Sequence, residues 1–147
     1  MALAARPAAY CVDGTNVVRV SSGYGGPAFR AQEEEDSRRL LEGLELLCGS
    51  LGARVDVELF FDGEHRGLGR AGQPNLRVRF TREGSADDVI LDRVRSRAWS
   101  GEGKVTVVTA DGELGRRAEE EGGHWLKVRP GADMGGIFRA IERRFTR

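Results

Sequence analysis

Short apolar runs alternate with longer segments of helical period along this chain of 147 residues. Ala9 to Val12 is apolar and stops at Asp13-Gly14, which predicts a short buried strand closed by a turn. Ser21 to Pro27 holds three glycines and a proline, so it reads as a loop. From Glu33 to Leu51 the leucines Leu40, Leu41, Leu44, Leu47 and Leu51 recur on one helical face. Gly43 and Gly49 weaken that helix, and Gly52 ends it. Arg54 to Phe61 alternates as a second strand, and the polar, glycine-rich stretch from Gly63 to Gln73 is a loop. Leu76 to Phe80 is a third strand, with Leu76, Val78 and Phe80 on one face and Arg77 and Arg79 on the other.

The second half repeats the alternation. Ser85 is placed to cap a helix running to about Trp99, with Val89, Ile90, Val94 and Trp99 facing inward. Lys104 to Thr109 is a fourth strand, rich in β-branched residues. A short helix from Glu113 to Glu121 follows, then a fifth strand from His124 to Val128. Gly131 to Arg144 closes the chain as a helix marked by Met134, Ile137, Phe138 and Ile141. Strands that alternate with helices predict crossover connections, a mostly parallel sheet and helices on both faces. Residues 1–8 read as a lead-in and residues 9–147 as one domain.

Composition changes this picture little. Basic and acidic residues balance at 23 each, so net charge neither demands nor excludes a polyanionic partner. Their distribution says more, because His65, Arg66, Arg70, Arg77, Arg79 and Arg82 gather in one stretch. Cys11 and Cys48 sit in apolar segments as expected buried thiols, without zinc-type spacing. No run of 18 apolar residues occurs and the N-terminus lacks a signal-peptide pattern, so a cytoplasmic protein without a membrane span is expected.

The candidate chemistry lies in four aspartates. Asp13, Asp62 and Asp111 each follow a predicted strand, and Asp87 opens the helix after the third. In open parallel sheets, sites form outside the carboxyl ends of strands. Carboxylates gathered there repel one another, and a hard cation such as Mg2+ or Mn2+ relieves that repulsion. Each acid alone also has an ordinary turn or capping reading; the repeated arrangement is the more specific feature. Asn16 adds a group able to hold water or phosphate, while Asp36 and Asp88 are possible accessory acids, Asp36 being expected in solvent. Gly23 to Gly26 lacks the lysine and spacing of a P-loop. Asp13-Gly14-Thr15 is similar to a phosphatase motif but has Cys11 where the nucleophilic aspartate belongs.

Val12-Asp13-Gly14-Thr15-Asn16, Phe60-Phe61-Asp62-Gly63, the run from Phe80 to Asp88, and Val108-Thr109-Ala110-Asp111 together resemble the YacP-like NYN domains of the PIN-like nuclease superfamily. That resemblance implies a three-layer α/β/α PIN-like domain with a mostly parallel sheet. It implies a cytoplasmic, metal-dependent endoribonuclease acting on RNA, with possible ribosome association and messenger RNA as substrate. Asp13, Asp87 and Asp111 match the family's central acids, Asp62 its strand-end acid, and Asn16 accompanies Asp13. Asp36 matches an acidic helix position, with Asp88 as an accessory. Arg66, Arg70, Arg77, Arg79 and Arg82 are the expected RNA-backbone contacts, and Tyr24 a base-stacking candidate. The rival is a non-catalytic RNA-binding or ribosome-associated module; a phosphatase or a nuclease for other nucleic acids, or a structural protein whose acids serve only as turn and cap residues, stands further off.

Overall fold

A computed structural model describes residues 6–22, 30–63, 68, 71–81 and 85–145. Five parallel strands form one sheet in the order β3-β2-β1-β4-β5. The strands are β1 (Ala8–Asp13), β2 (Val55–Asp62), β3 (Leu76–Thr81), β4 (Val105–Thr109) and β5 (His124–Lys127). The helices are α1 (Gly14–Ser22), α2 (Arg30–Leu51), α3 (Ala86–Ser100), α4 (Gly112–Glu120) and α5 (Met134–Glu142).

Strand alternation divides the core in two. Tyr10, Val12, Val57, Leu59 and Phe61 pack with the leucines of α2, with Val17 and Val18 of α1, and with Ile137 and Ile141 of α5. Cys11, Phe60, Val105 and Val107 face the other way, onto Ile90, Leu91 and Val94 of α3 and Leu114 and Ala118 of α4. Helices thus cover both faces, and each buried Val, Leu or Phe contributes roughly 1.5–3 kcal/mol of apolar transfer. Cys11 and Cys48 are buried free thiols. Among the described residues no helix is long and apolar enough to cross a membrane.

Two features depart from the sequence reading. Gly14 to Ser22 is helical where only a turn and the start of a loop are expected. Its opening glycine and its valines are weak helix formers, so tertiary burial of Val17 and Val18 stabilises it instead of propensity. Trp99, expected inside, is 92% exposed. It lies in the last turn of α3, nine residues and so half a turn in phase from buried Ile90, on the face turned away from the sheet.

The chain order fixes where a site can form. β1 is followed by β2 and β3 on one side, and the chain then crosses back to place β4 on β1's other side. The strand order therefore reverses between β1 and β4, whose carboxyl ends flank a crevice.

Candidate active site at the carboxyl edge of the sheet

The crevice between β1 and β4 holds Asp13, Asn16 and Thr109. The Thr109 hydroxyl lies 2.9 Å from Asp13 Oδ2 and 3.1 Å from Asn16 Oδ1, so its one proton serves either acceptor. The same hydroxyl accepts from the Asp111 amide at 3.1 Å. Asn16 Oδ1 also accepts from the Ala110 amide at 2.8 Å. Thr109 is fully buried, and this network ties β1, α1 and the entry to α4 together. Trp125 on β5 adds a hydrogen bond from its indole to the Thr109 carbonyl, 3.0 Å long.

Close packing sets the turn after Asp13. A Cβ on Gly14 would come within 2.6 Å of the Phe60 carbonyl oxygen and 2.8 Å of the Phe61 ring. Glycine therefore lets α1 start directly against β2. Thr15, one residue on, accepts from the Asp62 amide at 2.9 Å, which brings the ends of β1 and β2 together.

The other acids arrive with structural duties. Asp62 Oδ1 accepts from the Ala86 amide at 3.0 Å and so anchors the start of α3. Ser85 caps that helix through a bond from the Asp87 amide. Asp111 caps α4, with one carboxylate oxygen accepting from the amides of both Glu113 and Leu114. The capping reading of Asp111 is thus true, and it leaves the second oxygen for other work.

Electrostatics binds these acids into one group. Burial pushes the Asp13 carboxyl up to about 7; the Thr109 hydrogen bond opposes this, and the charges of Asp87, Asp62 and Asp111 add to it. Burial also raises Asp87, joined by Asp111, Asp62 and Asp88, while Arg117 pulls the other way. None of the ion pairs between described residues involves Asp13, Asp62, Asp87 or Asp111. Among the described residues, then, no arginine forms an ion pair with these acids.

The donor set is all carboxylate oxygen, which suits Mg2+ or Mn2+ in kind and charge. Its arrangement is wider than a coordination shell: among the described residues no three His, Cys, Asp or Glu side chains stand close enough to hold a metal ion as they are placed. The reason is visible in the bonds, since Asp62 and Asp111 each turn an oxygen onto a backbone amide. The residues fit such an ion in the kind and charge of their donors, but not in their spacing as placed.

The remaining expected residues divide. Asp36 is 6% exposed, not in solvent as expected, and accepts from Gln32 at 3.2 Å. Asp88 is exposed beside Asp87. Arg77 and Arg79 lie on the outer strand β3, ion-paired to Asp56 and Glu58. Tyr24, Arg66, Arg70 and Arg82, with His65, lie outside the described residues. Thr15 is not named as a site residue by the sequence, although it stands in the Asp13-Gly14-Thr15-Asn16 stretch. A strand threonine such as Thr109 reads mainly as packing, and its role as a hub follows from the crossing of β4 beside β1.

Comparison with known proteins agrees with the fold. No curated sequence matches the chain. The fold is similar to the crystal structure of a variant of Rae1 (YacP) from Bacillus subtilis, with a TM-score of 0.64 and 20% identity, covering 93% of this chain and 78% of that one. The pattern of the YacP-like NYN domain matches residues 10–130, from β1 to just beyond β5. The chain therefore belongs to the YacP-like NYN domain family of the PIN-like nuclease superfamily, a membership that supports a general nuclease role.

Proposed function

We propose that the protein is a metal-dependent endoribonuclease of the cytoplasm, hydrolysing phosphodiester bonds in RNA. The observation that carries this reading is the gathering of Asp13, Asp62, Asp87 and Asp111 at the switch point of the sheet, where burial first and the neighbouring acids second raise the carboxyls of Asp13 and Asp87. Asp13, Asp87 and Asp111 would hold Mg2+ or Mn2+, with Asp62 assisting. When bound, the ion neutralises the acids, polarises a water and stabilises charge on the phosphoryl oxygens.

The chain's own groups do the positioning. Asn16 has its carbonyl oxygen occupied by Ala110 and Thr109, so its NH2 is the end left to donate to water or phosphate. Thr109 holds Asp13 from behind and sets its distance from Asp111. Asp36 and Asp88 serve as accessory acids, and Arg66, Arg70, Arg82 and Tyr24 as contacts along the RNA, with messenger RNA on ribosomes as one setting.

The test is cleavage of a varied RNA pool with Mg2+, Mn2+ or chelator, for the wild type and for Asp13→Asn and Asp111→Asn. Metal-dependent cleavage that disappears in both variants is expected. Cleavage that persists in chelator, or full activity in both variants, overturns the mechanism. Tight RNA binding without any cleavage returns the protein to the binding-module reading.

A further inference from the structure

A second charged region lies on the same sheet face, between α3 and the outer strand β3. Glu58 and Asp56 of β2, Arg77 and Arg79 of β3, and Arg93 and Arg97 of α3 form one cluster. Arg79 Nε donates to Glu58 Oε2 at 2.8 Å, and Arg93 Nη2 donates to the same oxygen at 3.1 Å. Arg93 Nε is 2.7 Å from Glu58 Oε1 but makes no aligned hydrogen bond, so that approach is an ion pair only. Arg77 bonds both oxygens of Asp56, and Arg97 bonds Oδ2.

Four guanidinium groups thus surround two carboxylates. One arginine would suffice to pair each acid, so the cluster holds positive charge in excess, which Glu102 at the rim offsets only in part. The Glu58 side chain is 5% exposed, whereas Arg77 and Arg79 remain 45% and 48% exposed. The acids lie below and the cations face out. A buried carboxylate that grips arginines by one or two N–H groups leaves the rest of each fork for an outside acceptor. Among the described residues Arg79 bonds only through Nε, and Arg97 only through Nη2.

We propose that this arginine groove is a binding track for the phosphate backbone of single-stranded RNA, seated on Glu58 and Asp56. For the identity of its ligand the proposal rests on the nuclease reading. The groove lies beside the acidic edge without reaching it, since its lining stops at Arg79 and Arg93; on the same face of β2, Asp62 lies four residues past Glu58, roughly 13 Å at about 3.3 Å per residue. Along α3, Arg93 follows Asp87 by six residues, about 9 Å at 1.5 Å per residue. A strand lying in the groove spans that distance with a few nucleotides and brings a phosphodiester to Asp13 and Asp87. The arginines supply the attraction that the acidic edge itself lacks.

The test reads binding, not cleavage. Fluorescent single-stranded RNA is titrated against the wild type and an Arg77→Gln/Arg97→Gln double variant, in chelator, over a range of salt. Both replaced arginines pair with partly exposed Asp56, so Glu58 keeps Arg79 and Arg93. The variant should bind at least about tenfold more weakly, with the salt slope reduced by about 0.7 for each phosphate no longer neutralised. Unchanged affinity and slope overturn the proposal. A second measurement uses the wild type alone: RNA should protect Arg77, Arg79, Arg93 and Arg97 from phenylglyoxal, and absence of protection overturns it. Stronger protection by polyglutamate than by RNA would instead make the groove a site for acidic protein. Groove-dependent binding with no cleavage under any metal sinks the nuclease reading and keeps the groove. Cleavage with groove-independent binding does the reverse.

Discussion

Glu58 and Asp13 are both buried carboxylates, on neighbouring strands of one sheet, yet they live under opposite fields. Burial opposes the charge of Glu58, but the hydrogen bonds and charges of Arg79 and Arg93 outweigh it and hold its carboxyl below the ordinary value. At Asp13 burial acts with little to oppose it: one hydroxyl supports the carboxylate, three aspartates add to the burial, and its carboxyl rises to about 7. The difference is one of satisfaction. Around Glu58 the fold supplies its own counter-charge; around Asp13 it leaves the negative charge to something from outside. A paired acid is scaffold, whereas a crowded set with no ion pair among the described residues is what the proposed cation would neutralise.

The sharpest way to break that contrast is to remove the crowded charge. Asp13→Asn should lower RNA cleavage by on the order of 100-fold or more, because it removes an interaction worth several kcal/mol in the transition state. Single-turnover kinetics at saturating Mg2+ checks it. Stability should move in the other direction. Folded Asp13 keeps its proton up to about pH 7, whereas the unfolded chain releases it near the ordinary carboxyl value. Between roughly pH 4 and 7 the native state therefore binds more protons, and raising the pH costs stability, on the order of a few kcal/mol once complete. Urea unfolding across that range should show a decline in the wild type that is flattened in Asp13→Asn, and Mg2+ should recover wild-type stability at pH 8 only.

The paired acid should respond differently. Glu58→Ala leaves Arg79 and Arg93 facing one another without their carboxylate. A loss of about 2–3 kcal/mol is expected, below the fully buried case because the arginines keep solvent. Equilibrium unfolding checks it, and an unchanged midpoint would mean that the cluster is not scaffold. Asp111 sits between the two regimes, since it both caps α4 and joins the acidic group. Asp111→Asn keeps a capping oxygen and should lose activity with little stability, while Asp111→Ala should lose about 1 kcal/mol as well. The smallest effect belongs to Trp99. Its exposure predicts that Trp99→Ser changes stability by less than about 0.5 kcal/mol, readable as an unshifted thermal midpoint.

Sequence and structure agree on the elements wherever apolar period and propensity agree. The leucines of α2 and the β-branched run of β4 are such places, and the helix capped by Ser85 begins as expected. They part at α1, where propensity and burial disagree, and at Trp99, whose apolar character suggests burial although the helical period sets it opposite Ile90. The strand-end positions of the site aspartates were legible because the fold places them by chain order. Their second occupations were not: the bonds of Asp62 to Ala86, of Thr15 to the Asp62 amide and of Thr109 to Asp13 join residues far apart in the chain.

By itself, then, the sequence determined the alternation of strands and helices, the family, and the set of acids that can meet at one edge. Periodicity and local turn chemistry are properties of neighbouring residues, so they survive without a structure. Only the tertiary structure decided which acids are satisfied. Arg79 meets Glu58 because β3 lies beside β2, and Asp13 meets Thr109 because β4 crosses back beside β1. The charge on a carboxylate depends on what packs against it, and that is fixed by pairing between strands the sequence separates.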